Sequence, residues 1–260
     1  MSVIVEIDPG HGLPDPGACG NGLQEHERAL VLGRMVGKVL TRHGVTVFFT
    51  RTNEKSLSTA TNLKQNKNQD LAKRVALSRE HGAHFFLSLH MNSSGNPQSN
   101  GYETLCYSMN GQIDALHQPI KAFLQKKGIR DRGIKTRGDL AVLKGPKCKA
   151  ALLECLFISN PKEAALMKDQ AFLLEFAEAI AQGVLAAVGV KYVPAKAGTP
   201  TPQPKPQPVP IDPTVAAIEK LVRAGIINSP DYWLQNAKPG HKADGQYTAF
   251  LLQNMAKAVG

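Results

Sequence analysis

The order of elements in this chain predicts an α/β domain with helices on both faces of a sheet, followed by a small all-α domain. Three observations carry that prediction. Short runs rich in apolar and β-branched residues alternate with longer helix-like segments across residues 1–192. A proline-alternating segment then breaks the pattern. Two apolar-periodic stretches follow it.

Val3–Asp8 reads as a strand that runs into the tight turn Pro9-Gly10-His11-Gly12. Gln24–His43 reads as a helix stopped by Gly44, and Val45–Thr50 as the next strand. Gln69–His81 is helical and ends at Gly82; His84–His90 (HFFLSLH) and Tyr102–Tyr107 are strands. Ile113–Lys127 reads as a helix, and Leu140–Lys144 and Ala150–Phe157 as strands. Asn160-Pro161 supplies a cap and a first helical position, and helix continues to Val188 with a break near Lys168-Asp169.

Residues 193–213 read VPAKAGTPTPQPKPQPVPIDP. Proline at this density can neither continue a helix nor donate to a sheet, so an extended polyproline spacer is expected. It separates residues 1–192 from a module at 214–260, whose apolar stretches Val215–Ala224 and Thr248–Val259 suggest a small helical bundle.

The chain has 260 residues, 42% of them hydrophobic, enough to bury a real core. No stretch approaches the ~20 apolar residues that span a bilayer, so membrane insertion is not expected. The N-terminus carries Glu6 and no basic start, which predicts synthesis in the cytoplasm without a signal peptide. None of the four cysteines forms a CxxC pair, and Cys106 and Cys155 sit in apolar runs as reduced, buried thiols. Net charge of +10 suits an anionic partner: nucleic acid, membrane surface or acidic wall polymer. With aromatics at 6% and no recognition motif, nucleic acid is set aside. Basic residues are dense only from Gln125 to Arg137.

Ligands of open α/β sheets bind beyond the carboxyl ends of strands. His11 follows the first strand, His90 closes another, and Glu154 interrupts the apolar run AALLECLF. Glu25 opens the first long helix, with Glu27 as a competitor beside it. Two imidazoles and a carboxylate form a catalytic zinc set with a position left for water. In that reading His11, Glu25 and His90 hold Zn²⁺ and Glu154 acts as general acid and base. Gly10 and Gly12 let the chain turn and aim His11. Each residue also has an ordinary alternative. His11 could be a turn residue, His90 could simply end its strand, and Glu25 could favour the positive end of its helix. Glu154 is hardest to explain away, because a carboxylate among leucines is costly unless paired, ligating or protonated.

Four segments, IDPGHG (Ile7–Gly12), DPGACGNGLQE (Asp15–Glu25), SLHMN (Ser88–Asn92) and LLECLFISNP (Leu152–Pro161), closely resemble the motifs of the zinc-dependent N-acetylmuramoyl-L-alanine amidases, the amidase type 3 family. The resemblance spans nearly all of residues 1–190. It implies a twisted mixed sheet of about six strands and one Zn²⁺ on His11, Glu25 and His90, favouring Glu25 over Glu27. It also implies a catalytic Glu154. The activity implied is cleavage of the amide between N-acetylmuramic acid and L-alanine in bacterial peptidoglycan. Two departures, His26-Glu27 and Cys155-Leu156, touch no implied ligand. The tail after the spacer looks placed like the wall-binding modules of phage endolysins and autolysins. Tyr232 and Trp233 are candidates to stack on sugars, and a mild positive charge would suit anionic wall polymers. Rival readings are a zinc peptidase or carboxypeptidase and a non-catalytic wall-binding protein. Missing a signal peptide, an endolysin would act on the wall only after release from the host cytoplasm.

Overall fold

In the computed structural model, the described residues are 2–194 together with Ile218, Leu221, Ala224, Ile226, Ile227, Thr248, Leu251, Gln253, Asn254 and Met255. In chain order the elements are β1 (Ile4–Pro9), a two-strand ribbon of β2 (Cys19–Gly20) and β3 (Leu23–Gln24), α1 (Glu25–Arg42), β4 (Thr46–Phe49) and α2 (Leu63–Glu80). They continue with β5 (Phe85–Asn92), β6 (Tyr102–Cys106), α3 (Gly111–Lys126), β7 (Asp131–Thr136), α4 (Ala141–Lys144), β8 (Lys149–Phe157), α5 (Pro161–Lys168) and α6 (Gln170–Ala187).

Six strands form one mixed sheet in the order β4-β1-β5-β8-β6-β7. Neighbours from β4 to β8 run parallel; β6 is antiparallel to β8, and β7 parallel to β6. The two-residue period of a strand sorts its side chains onto two faces. Val5, Ile7, Phe85, Leu87, Leu89, Ala151, Leu153 and Cys155 join the large core with α1, α3 and α6. Phe86, Leu105, Ala150 and Leu152 join a smaller one with Val142 and Leu143 of α4. On that second face β1 and β5 also bury polar residues: Glu6, Asp8 and Ser88. Asp169 caps α6 and marks the break between α5 and α6. Among the described residues α6 alone is long and apolar enough to cross a membrane, yet most of it is buried in this core. A Cβ on Gly183 would lie 2.2 Å from the Leu116 carbonyl oxygen, so glycine sets how closely α6 approaches α3.

Besides the short β2-β3 ribbon, which the sequence reading did not include, three elements differ from the sequence expectation. Helix α2 starts at Leu63 rather than Gln69, capped by Asn62, whose side chain accepts from the Gln65 N–H. Its buried stripe is Asn66, Asp70, Arg74 and Ser78 at four-residue spacing, so apolar periodicity cannot reveal it. Leu140–Lys144 contains a single helical turn, α4, instead of a strand. Successive buried residues Val142 and Leu143 fit a turn packed on the sheet better than an alternating strand. The polar β7 was not anticipated as a strand; its charged, non-alternating sequence is that of a sheet edge.

By contacts the chain divides into Met1–Pro194 and Ala195–Gly260. In the second unit Ile218 and Ile227 are buried with Leu221, Ile226 and Leu251 packed against them, and Asn254 Nδ2 donates to the Ile226 carbonyl at 2.8 Å. Ile218, Leu221, Thr248 and Leu251 are helical. Nearly all of the spacer, and both Tyr232 and Trp233, lie outside the described residues.

Glu6 gives a stability prediction. Its Oε2 lies 2.7 Å from His81 Nδ1, while Oε1 is buried with no partner among the described residues. Burial pushes its carboxyl up from 4.5 to about 7, against the pull of His81. The folded state therefore binds a proton that the unfolded chain releases, so stability present below pH 4.5 is lost as pH rises through about 7. Glu6→Gln is expected to flatten that slope. Thermal melts should show a gain on the order of 1 kcal/mol, or a few degrees, at pH 8 and little change at pH 5.

Candidate metal centre and active site

The turn after β1 is held from below by two buried arginines. Arg51 donates from Nε to the Pro9 carbonyl (3.0 Å) and from Nη2 to the carbonyls of Gly10 (2.8 Å) and His26 (2.7 Å). Arg74 donates to the Pro9 carbonyl (2.6 Å) and, through Nη2, to that of His11. Its charge is balanced by Asp8 (2.6 Å) and Asp70 (2.8 Å), and Asp8 also accepts from Thr50 and Ser88. So held, His11 takes φ 60° and Gly12 φ 146°. A left-handed histidine costs about 1–2 kcal/mol, which the arginine clamp sustains.

Glu25 reaches the same point from α1. The β2-β3 ribbon folds the preceding loop back onto the helix start, where Glu25 N–H donates to the Ala18 carbonyl (2.9 Å). The Glu25 carboxylate accepts from the backbone N–H of Ala18 (2.7 Å) and of Met91 (3.0 Å). Its two oxygens lie 3.1 Å from His11 Nε2 and 2.8 Å from His90 Nδ1. Ligand atoms of His11, Glu25 and His90 fall within 4.8 Å of one another. Glycine is required around them for space. A Cβ on Gly10 would sit 2.3 Å from the His90 ring, and one on Gly17 would sit 2.5 Å from Glu25 Oε2 and 2.6 Å from the His11 ring. Gly10 thus serves by lacking a side chain beside His90, and Gly12 by its backbone angle.

Glu154 stands on β8 directly across from His90 on β5. Its Oε2 is buried and has no partner among the described residues. Burial, with Glu25 and Glu103 nearby, raises its carboxyl to about 7 in spite of the two histidines. All four residues singled out in the sequence therefore meet at one rim. Glu27 is not among the clustered groups. His26 contributes its carbonyl to Arg51, while His43 and His81 cap helices and His84 accepts from the Ile4 N–H. Cys106 and Cys155 are buried and unpaired.

Sequence reasoning missed Asp15, Arg51 and Arg74. Asp15 Oδ2 lies 2.9 Å from His11 Nδ1, and its other oxygen lies 3.1 Å from Lys67 Nζ. A carboxylate on the far nitrogen orients an imidazole and fixes its tautomer. It sits inside DPGACGNGLQE, the only signal that could have found it.

The rim calls for positive charge. Burial alone would lower the His11 imidazole, but Asp15 and Glu25 outweigh it and lift it to about 9. Burial opposes ionisation of Glu25 too, yet hydrogen bonds from His11 and His90 hold it well below the usual carboxylate range. Two imidazoles, an ionised carboxylate and an unpartnered buried oxygen of Glu154 fit a divalent cation of zinc type.

Residues 5–186 match the family model described as N-acetylmuramoyl-L-alanine amidase. The chain is 35% identical over 199 residues to the endolysin of Bacillus phage SPP1, covering 74% of this chain and 68% of the endolysin. It is 33% identical over 193 residues to the sporulation-specific N-acetylmuramoyl-L-alanine amidase of Bacillus subtilis strain 168, covering 73% and 69% of the two chains. Its fold matches the catalytic domain of CwlV, an N-acetylmuramoyl-L-alanine amidase of Bacillus (Paenibacillus) polymyxa var. colistinus, with a TM-score of 0.63 and 31% identity over 73% of this chain and 99% of that one. With that rim, that sheet order and these relatives, the chain belongs to the N-acetylmuramoyl-L-alanine amidase family of peptidoglycan hydrolases.

Proposed function

We propose that this peptidoglycan amidase is zinc-dependent, with His11, Glu25 and His90 as the metal ligands and Glu154 as the proton carrier. The observation that carries the reading is the convergence of those three donors beside a buried carboxylate with a free oxygen. A zinc ion bound there would supply Lewis acidity toward the scissile carbonyl and toward water.

The chain's own residues would do the rest. Glu154, poised near neutrality, would take a proton from the attacking water and pass it to the departing L-alanine nitrogen. Burial between His90 and Glu103 would strengthen each electrostatic contact made there. Asp15 would hold the His11 ring, and the arginine clamp would hold the turn.

The likeness to a phage endolysin supports a lytic role exerted on the wall after release. We assign the tail at 214–260 to binding of the wall, glycan or anionic polymer, with the proline-rich spacer raising local substrate concentration.

Glu154→Gln is expected to lower kcat by at least ~100-fold with the fold and metal content intact. Circular dichroism, elemental analysis and turnover of purified sacculi check it, and retained activity would remove Glu154 from the role. Chelation should abolish release of new L-alanine amino termini, and added Zn²⁺ should restore it. Gly10→Ala should displace His90 and lower bound zinc by elemental analysis. Residues 1–194 alone should still cleave soluble muropeptide but sediment less with intact sacculi; unchanged sedimentation would give the tail another task.

A further inference from the structure

The edge strand β7 carries the sequence DRGIKT, in which the register against β6 slips by one residue. Tyr102 pairs with Asp131 while Thr104 pairs with Ile134, so Glu103 faces both Arg132 and Gly133. Gly133 takes φ 80°, the left-handed conformation such a bulge uses. The extra residue changes what β7 presents. Arg132 and Lys135 are three positions apart and would point to opposite faces of a regular strand. Here both reach one atom: Glu103 Oε2 accepts from Arg132 Nε at 3.0 Å and from Lys135 Nζ at 2.5 Å.

Glu103 stands directly across from Glu154, which stands directly across from His90. A single row of side chains therefore crosses the sheet from the metal centre to the edge: His90, Glu154, Glu103, then the two cations. Two cations meet one carboxylate, so the end of the row carries excess positive charge. Arg132 is fixed in place, its guanidinium 5.0 Å from the Phe157 ring centre and its Nη1 3.4 Å from the Asn100 carbonyl. Its Nη2 meets no acceptor among the described residues, and half-exposed Lys135 donates only to Glu103.

We propose that Arg132 and Lys135 form an anion subsite that takes a free carboxylate on the stem peptide of the substrate. The proposal rests on the amidase reading above. Of the two arms joined by the scissile amide, the N-acetylated glycan is uncharged, whereas the stem peptide bears carboxylates. β7 lies two strands from β8, roughly 10 Å from Glu154. An extended peptide advances about 3.3–3.6 Å per residue, which puts the recognised carboxylate on the second or third stem residue.

The test uses the whole 260-residue chain and two soluble muropeptides that differ only in having these stem carboxylates free or converted to carboxamides. The wild type is expected to favour the acid form about tenfold in kcat/KM, chiefly through KM. Lys135→Gln and Arg132→Gln should each raise KM for the acid form and leave the amide form unchanged. Together they should erase the preference. Equal losses on both substrates would reduce the pair to structural partners of Glu103, and a wild type indifferent to amidation would overturn the subsite outright. Failure of the wild type to release L-alanine termini from either muropeptide would instead count against the amidase reading.

Discussion

The active-site rim depends on a buried ion cluster beneath it: Asp8 and Asp70 around Arg74, with Arg51 alongside. A strand that turns sharply at its carboxyl end leaves successive carbonyls with no ladder partner, and buried carbonyls must find donors. The guanidinium groups of Arg51 and Arg74 supply them to Pro9, Gly10 and His11. Burying such charges costs several kcal/mol unless they are paired and fully hydrogen-bonded, and Asp8 and Asp70 provide the pairing. An apolar replacement of the cluster would leave those carbonyls without donors. His11 inherits its direction from this arrangement, and the start of α1 is tied to it through the His26 carbonyl.

Above the clamp, two carboxylates on one rim are driven in opposite directions. Glu25 receives two backbone N–H groups and two imidazoles and stays ionised. Glu154, buried with one oxygen unpartnered and with Glu25 and Glu103 nearby, holds its proton up to about neutral pH. Separation of this kind divides labour between a fixed anion suited to holding a cation and a carboxyl suited to moving protons. The identity of the side chain matters less than what the backbone puts around it.

The parts legible in the sequence are those in which an apolar pattern is kept or conspicuously broken. β1, β5 and β8 read correctly because their positions facing the large core are apolar, and His90 and Glu154 stand out against the apolar runs beside them. The start of α2 stayed hidden because its buried stripe is Asn66, Asp70, Arg74 and Ser78, which resembles a solvated face. Arg51 and Arg74 escaped notice alike: a charged residue in a loop or helix carries no local mark of being buried. Asp15 was visible only as part of a motif, since its role depends on the direction of the His11 ring. Leu140–Lys144 is too short for its apolar residues to distinguish strand from helical turn.

In the proposed reading the sheet also separates chemistry from recognition by position. His90 and Glu154 sit on β5 and β8, central strands paired on both sides, where the register is fixed by buried apolar neighbours. Arg132 and Lys135 sit on β7, which pairs on one side only and already tolerates a bulge. An insertion at an edge re-aims a few side chains without shifting the rows that carry His90 and Glu154. One residue added or removed at Gly133 would exchange which of β7's charges face Glu103, while His11, Glu25, His90 and Glu154 kept their places. Substrate preference in this fold can therefore change at the margin of the sheet with the catalytic rim left intact.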